Sequence, residues 1–367
     1  MILDELALTF IPDLGSRGIA HLIDIYDDAA DIYRTSEFAL MAYAELRRDV
    51  AMRIAQKVGY KEAEQELRYC NEHDIRITSY YDNSYPHLLR EAPDRPHIVY
   101  SMGNIEALES PHTLSVVGTR RISSYGESIC ARIIPELAEM FPDLVVVSGL
   151  AYGVDAAAHR AALASGVRTV AVIANKLPDV TPVQHRNIAK DIIDHDGAII
   201  TELSSQSKQN GSHYIPRNRI IAGVSAGLLV VESPANGGSL STAKAADAYS
   251  RTIMAIPGRI TDSRSEGTNH LIKTNIAQLV TSAKDIATAL GWEIPGAVPE
   301  KMVFAPHQIT PKERSVYNAI ADNSDGMTID MIADKCSLSV AEVSAILLNM
   351  ELAALVRQLP GRKYVIC

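Results

Sequence analysis

At 367 residues, with 47% hydrophobic and 22% charged side chains, the chain has an ordinary globular composition and room for two or three domains. A formal net charge of -9 excludes a protein coated in basic surface, so any nucleic-acid site has to be a local patch. Cys70, Cys130, Cys336 and Cys367 form no C-x-x-C pair and no zinc spacing with histidine, which argues against a disulfide frame or a structural metal.

"MILDELALTF" carries acids where a signal peptide needs positive charge, and no 18 apolar residues run uninterrupted, so the expected location is the cytoplasm, with no membrane contact. Residues 1–65 are helical by period, with Leu3, Leu6, Ile19, Leu22 and Ile23 at apolar positions. Within them "IPDLGSRGIAHLI" reads either as a helix-hairpin-helix (SAM-like) unit, whose turn amides can touch phosphates, or as a plain helix turn with a glycine cap. Residues 66–110, rich in tyrosine and proline, read as an extended connector packed against the next domain.

From 111 to 290 short apolar runs recur at spacings that leave room for helices: "LSVV", "LVVVS", "TVAVIA", "AIIT", "GLLVVE" and "TIMAIPG". Near-continuous Val/Ile strands alternating with helices such as "AAAHRAALASG" predict an α/β domain, a doubly wound, mostly parallel Rossmann-like sheet covered on both faces. Residues 291–309 hold three prolines and two glycines and read as a linker. In 310–367 three helical segments precede "VRQLPGRKYVI", the order of a winged helix. Its "SVAEVSAILLNME" segment has no basic residue and two glutamates, so the domain is expected to bind protein, or itself, rather than duplex DNA; Arg357, Arg362 and Lys363 leave a minor backbone role.

Ligands of open parallel sheets bind outside the carboxyl ends of the strands, and the loops there carry the chemistry. Ser148, Gly149, Gly153, Gly237, Gly238 and Ser239 let backbone amides approach an anion, with helix amino termini just beyond. The G-x-G-x-x-G pattern with a distant acid that a dinucleotide needs is absent. Arg120, Arg121, Arg217 and Arg219 instead offer several guanidiniums, which a row of backbone phosphates uses more fully than one nucleotide would. Asp155 reads as an N-cap and His159 as a packed or locally bonded residue. Glu202 and Glu232 are expected to pair with neighbouring arginines, and Asn218 either orients its loop or contacts the ligand.

Taken together, "VVGTRRISSYG", "VVSGLAYGVDAAAHRAAL", "IPRNRIIAGVSAGLLVVE", "GGSLSTAKAADAYSR", "AIPG" and "GTNHLI" resemble, in order, the DNA-processing protein A family, also called Smf. The resemblance is strong over about 100–280. It implies a non-catalytic protein without cofactor that binds single-stranded DNA, protects incoming strands in natural transformation and helps load RecA onto DNA coated by single-strand-binding protein. It also implies a homodimer formed through the Rossmann-like domain. The family's phosphate-gripping arginine falls on Arg120, and the adjoining pocket on Gly118, Ser148, Gly149, Arg217, Asn218 and Arg219, with Gly238, Ser239 and Thr242 nearby. Arg121 either joins this DNA-binding set or braces the fold.

The chain departs from the family pattern in "ANKLPDVTPVQHRN", where a glycine is lost, at Tyr214-Ile215 in place of the usual Phe, at Thr201-Glu202, and at Thr274-Asn275. The competing reading is a nucleoside-monophosphate phosphoribohydrolase on the same fold, but the comparable loop here, "NGGSLSTAKAA", carries Lys244 and no acid for the ribose.

Overall fold

The computed structural model describes residues 2–26, 28–208, 213–294, 310–321, 323, 326–352, 355–359 and 363–366. The chain divides into two compact units, Met1–Pro295 and Gly296–Cys367.

The first unit begins with α1 (Ile2–Thr9), α2 (Ser16–Ile25), α3 (Ala29–Arg34), α4 (Glu37–Tyr43), α5 (Arg48–Ala55) and α6 (Tyr60–Glu72). Helical spacing puts Leu6, Leu22, Ile32, Leu40 and Ile54 on inward faces, where all are fully buried. Polar residues start the short helices: Asp28 accepts from the Ala30 amide and Ser36 from the Ala39 amide. The glycine turn of "IPDLGSRG" follows α1 and places Gly15 as the N-cap of α2. This helical region shares one apolar core with Ile98, Ile173, Ile192 and Ile199.

The central sheet contains β1 (Arg76–Ser79), β2 (Ile98–Gly103), β3 (Thr113–Val117), β4 (Val145–Ser148), β5 (Arg168–Val172), β6 (Ala198–Thr201), β7 (Gly227–Val230), β8 (Thr252–Ala255) and β9 (Gln278–Leu279). Their order is β1-β2-β6-β5-β4-β3-β7-β8-β9. The pairs from β6 through β9 are parallel, while β1–β2 and β2–β6 are antiparallel. The segment expected to be an extended connector therefore differs from that reading, because it supplies two strands. Its prolines and tyrosines flank "IVYSMG", whose first four residues are buried against the cores on the two sheet faces.

The helices between and after the strands are α7 (His87–Arg90), α8 (Ser124–Met140), α9 (Val154–Ala164), α10 (Arg186–Asp194), α11 (Tyr214–Gly223), α12 (Ser239–Ala248), α13 (Glu266–Lys273) and α14 (Ala283–Ala289). Chain order reverses at β3, which has β4 on one side and β7 on the other. That reversal opens a crevice at the carboxyl ends of the central strands, where the loops after β3, β4 and β7 meet.

The second unit packs α15 (Pro311–Ala321), β10 (Met327–Thr328), α16 (Ile329–Cys336), α17 (Val340–Leu352), β11 (Val356–Leu359) and β12 (Lys363–Ile366) around Val316, Ile332, Val343 and Leu347. Its small antiparallel sheet runs β10-β12-β11, the wing of a winged helix. Most of the expected linker, residues 295–309, and Arg362 lie outside the described residues.

Candidate nucleic-acid interface

The crevice at the reversal is a cleft of 310 Å³. Gly118, Thr119 and Arg120 enter it from the β3 loop, Ala151 from the β4 loop, Asp155 from the first turn of α9, Tyr214, Arg217 and Asn218 from α11, Gly237 and Gly238 from the β7 loop, and Ser239 from the start of α12. Backbone bonds lock these loops together. The Thr119 amide donates to the Glu232 carbonyl at 2.7 Å, and the Thr119 carbonyl accepts from the Val154 amide at 3.2 Å. Gly153, at φ +78°, makes this approach possible, since a Cβ there would stand 2.2 Å from the Thr119 oxygen.

Arg120 is exposed at the rim, its guanidinium 4.8 Å from the centroid of the Tyr214 ring, within cation–π range. A charge suited to phosphate and a ring suited to a base thus stand side by side. Across the cleft α12 begins at Ser239, whose hydroxyl donates to Ser233 Oγ at 2.9 Å. Thr242, one turn on, is buried in the same wall.

Arg217 has a different role from Arg120. Only 5% exposed, it donates from Nη1 to the Gly149 carbonyl at 2.8 Å and to the Val172 carbonyl, and from Nε to Asn218 Oδ1 at 3.2 Å. Its charge compensates Asp155, whose carboxyl is raised above its ordinary pKa by burial and drawn back by Arg217. Gly149 must lack a side chain here, because a Cβ would meet both guanidinium nitrogens within 2.6 Å. Arg217 is therefore a strut within the cleft wall, tying α11 to the ends of β4 and β5.

The structure brings Gly118, Arg120, Arg217, Asn218, Gly238, Ser239 and Thr242 together in the cleft wall. It does not bring in Arg121, Ser148, Gly149 or Arg219. Ser148 is fully buried with its hydroxyl on the Val116 carbonyl, and Gly149 lies behind Arg217. Arg121 is exposed outside the lining. Arg219 lies on the other side of α11, paired with Glu202 and 3.3 Å from Ser16 Oγ.

Asn218 Nδ2 donates to Ser241 Oγ at 2.9 Å and to the Gly238 carbonyl at 3.3 Å, so it joins α11 to the α12 turn. Two carboxylates differ from their expected roles. Gly153, not Asp155, is the N-cap of α9, and Asp155 accepts from the Ala151 amide at 3.3 Å. Glu232 forms no ion pair with an arginine among the described residues; it accepts from the amide and hydroxyl of Ser123, where it closes the start of α8. His159 Nδ1 meets Thr169 Oγ1 at 2.7 Å, and burial pushes its pKa down to about 3. Among the cleft residues that the site reading omitted are Thr119, Ala151 and Ile215; only adjacency to the arginine loops could have signalled them.

Among the described residues no group of three or more His, Cys, Asp or Glu is placed to hold a metal ion, and no helix is long and apolar enough to cross a membrane.

The DNA recombination-mediator protein A family matches residues 76–291, and the DprA winged helix domain matches 300–362. Protein Smf of Escherichia coli strain K12 is 34% identical over 300 residues, which are 80% of this chain and 78% of that protein. The X-ray structure of DNA processing protein A from Streptococcus pneumoniae superposes with a TM-score of 0.65 at 30% identity, covering 75% of this chain and 93% of that one. DNA processing protein A of Helicobacter pylori, described for its single-stranded DNA binding mode, superposes with a TM-score of 0.53 at 25% identity, over 59% of this chain and 96% of that one. With the family matched over more than half of its length and the winged helix domain following it, the chain belongs to the DNA recombination-mediator protein A family.

Proposed function

We propose that this protein binds single-stranded DNA in the cleft at the β3 reversal and acts as a non-catalytic recombination mediator. In this reading it works in the cytoplasm as a homodimer formed through the Rossmann-like domain, protects incoming strands in natural transformation, and helps load RecA onto DNA coated by single-strand-binding protein. The observation that carries the reading is the pairing of an exposed Arg120 guanidinium with the Tyr214 ring at the crevice. Phosphate and base are the two repeating features of a strand, and one wall offers a partner for each. The relative from Helicobacter pylori, described for strand binding, supports it.

The non-catalytic part rests on the carboxylates. Asp155 in the cleft is held beneath Arg217, and Glu232 is held by Ser123, so neither stands ready to act on a ribose. In the winged helix, α17 exposes Val340 and Leu348 and carries no basic residue, which supports a protein-facing role.

Titration of a fluorescent thymidine oligomer across a salt series tests the binding. Log affinity should fall linearly with log salt, and Arg120→Ala should shrink that slope by about 0.7, one phosphate contact. Unchanged affinity and slope in Arg120→Ala would remove the cleft from the strand path. Steady release of adenine from AMP would replace the mediator by an enzyme.

A further inference from the structure

Two further clefts adjoin one another, sharing Gly15, Ser16 and Glu202, and the outer one, lined by Arg17, Asp94, Pro216 and Arg219, meets the face of α11 that carries Arg219. The inner one, of 540 Å³, runs between the α1–α2 turn and the loop after β6. One wall is apolar, with Ile11, Leu14, Ile19 and Ile98; the other carries hydroxyls and an amide from Ser204, Gln206 and Ser207. Tyr100 lies in the wall, 3% exposed, and its hydroxyl has no partner among the described residues.

Where the inner cleft opens into the outer one, its mouth, stand Gly15 and Ser16, the start of α2, and the N-cap glycine offers no side chain to the leading amides of the helix. Those amides carry the positive end of the helix dipole. Arg219 reaches the same place from α11. Its Nη2 bonds Glu202 and Ser16, while its Nη1 is a buried donor without a partner among the described residues. Arg17, with its side chain 84% exposed, stands at the mouth 4.0 Å from Asp94.

Two carboxylates oppose an anion here, and both are engaged. Glu202 is paired with Arg219, and Asp94 accepts from the Tyr249 hydroxyl. A phosphate arriving at the mouth competes only with Asp94 for the exposed Arg17. The apolar wall and hydroxyls behind it suit the base and sugar of the same nucleotide.

Resting on the strand-binding reading above, we propose that this cleft is a second contact for the same single strand. A strand leaving Arg120 and Tyr214 crosses the first turn of α11 at Ile215 and Pro216 and sets a phosphate on the α2 amino terminus, Arg17 and Arg219. The helical region is then part of the DNA-binding surface, and its glycine turn is a phosphate seat.

Gly15→Asp separates this role from folding. Gly15 is extended, at φ -77°, and a Cβ there meets nothing within 4 Å, so aspartate fits; as an N-cap it also suits the helix. Its carboxylate would occupy the amides and repel a phosphate. With the full chain and a thymidine oligomer of about 20 nucleotides, longer than the roughly 4 to 16 covered by one small single-strand-binding fold, Gly15→Asp should keep or raise the thermal midpoint. It should also weaken binding about fourfold at 0.15 M salt, the counterion release of one phosphate.

Arg17→Ala should lower the salt slope by about 0.7. Wild-type affinity and slope in both variants, alongside a loss in Arg120→Ala, would overturn the second contact and leave the first standing. A wild-type chain that does not bind the oligomer would overturn both.

Discussion

Arg217→Ala is expected to damage the fold before it damages the grip on DNA. The wild-type guanidinium is 5% exposed, bonded to the carbonyls of Gly149 and Val172 and to Asn218 Oδ1, and it compensates a buried Asp155. Removing one partner of such a buried pair costs about 3–5 kcal/mol, because the remaining charge is left without compensation. That is a large share of the 5–15 kcal/mol by which domains are commonly stable. Urea unfolding followed by circular dichroism should show a clearly lower midpoint. Arg217→Lys should fall between, since an ammonium keeps the charge and loses the planar fork. Adding Asp155→Asn to Arg217→Ala should restore part of the loss, a coupling that a double-mutant cycle measures. An Arg217→Ala protein that unfolds at the wild-type midpoint yet binds strands weakly would refute the strut and make Arg217 a direct phosphate ligand.

Two further outcomes follow from the same geometry. Burial holds His97 down to about 4 and His159 to about 3. The unfolded chain therefore takes up protons near pH 6.5 that the folded chain refuses, and stability should fall as pH drops from 6.5 towards 4, with His159→Gln flattening that dependence in equilibrium unfolding. Gly153→Ala, at φ +78° and 2.2 Å from the Thr119 oxygen, should cost more than about 1 kcal/mol in the same assay, while Gly238→Ala, with nothing within 4 Å of its Cβ, should leave the midpoint unchanged.

The sheet was legible because strands buried on both faces are written as unbroken apolar runs, and "LSVV", "AIIT" and "GLLVVE" each became a strand where the run stands. The cleft followed, since the rule that ligands bind at the carboxyl ends of parallel strands directs attention to the Gly118, Asp155 and Gly238 loops. The arginines were harder to place. "IPRNR" reads as a loop that could turn both cations to one ligand, but it is the opening of α11, where residues two apart point roughly 200° away from each other. Arg217 and Arg219 consequently serve opposite faces. β1 and β2 escaped notice because short antiparallel strands set among prolines carry little periodic signal, and Glu232 found Ser123 through a contact across 109 positions that no local pattern announces.

The Arg120–Tyr214 stack has a consequence for selectivity. While the guanidinium covers the ring, each group occupies the face the other would present to DNA. If the strand binds here as proposed, a base reaching the ring face under Arg120 has to displace a cation, whereas a phosphate that draws Arg120 outward clears that face for the base attached to it. In that reading charge and stacking would be engaged in sequence by one ligand, an arrangement that would discriminate against bare nucleosides and reward a polymer able to supply phosphate first and base second.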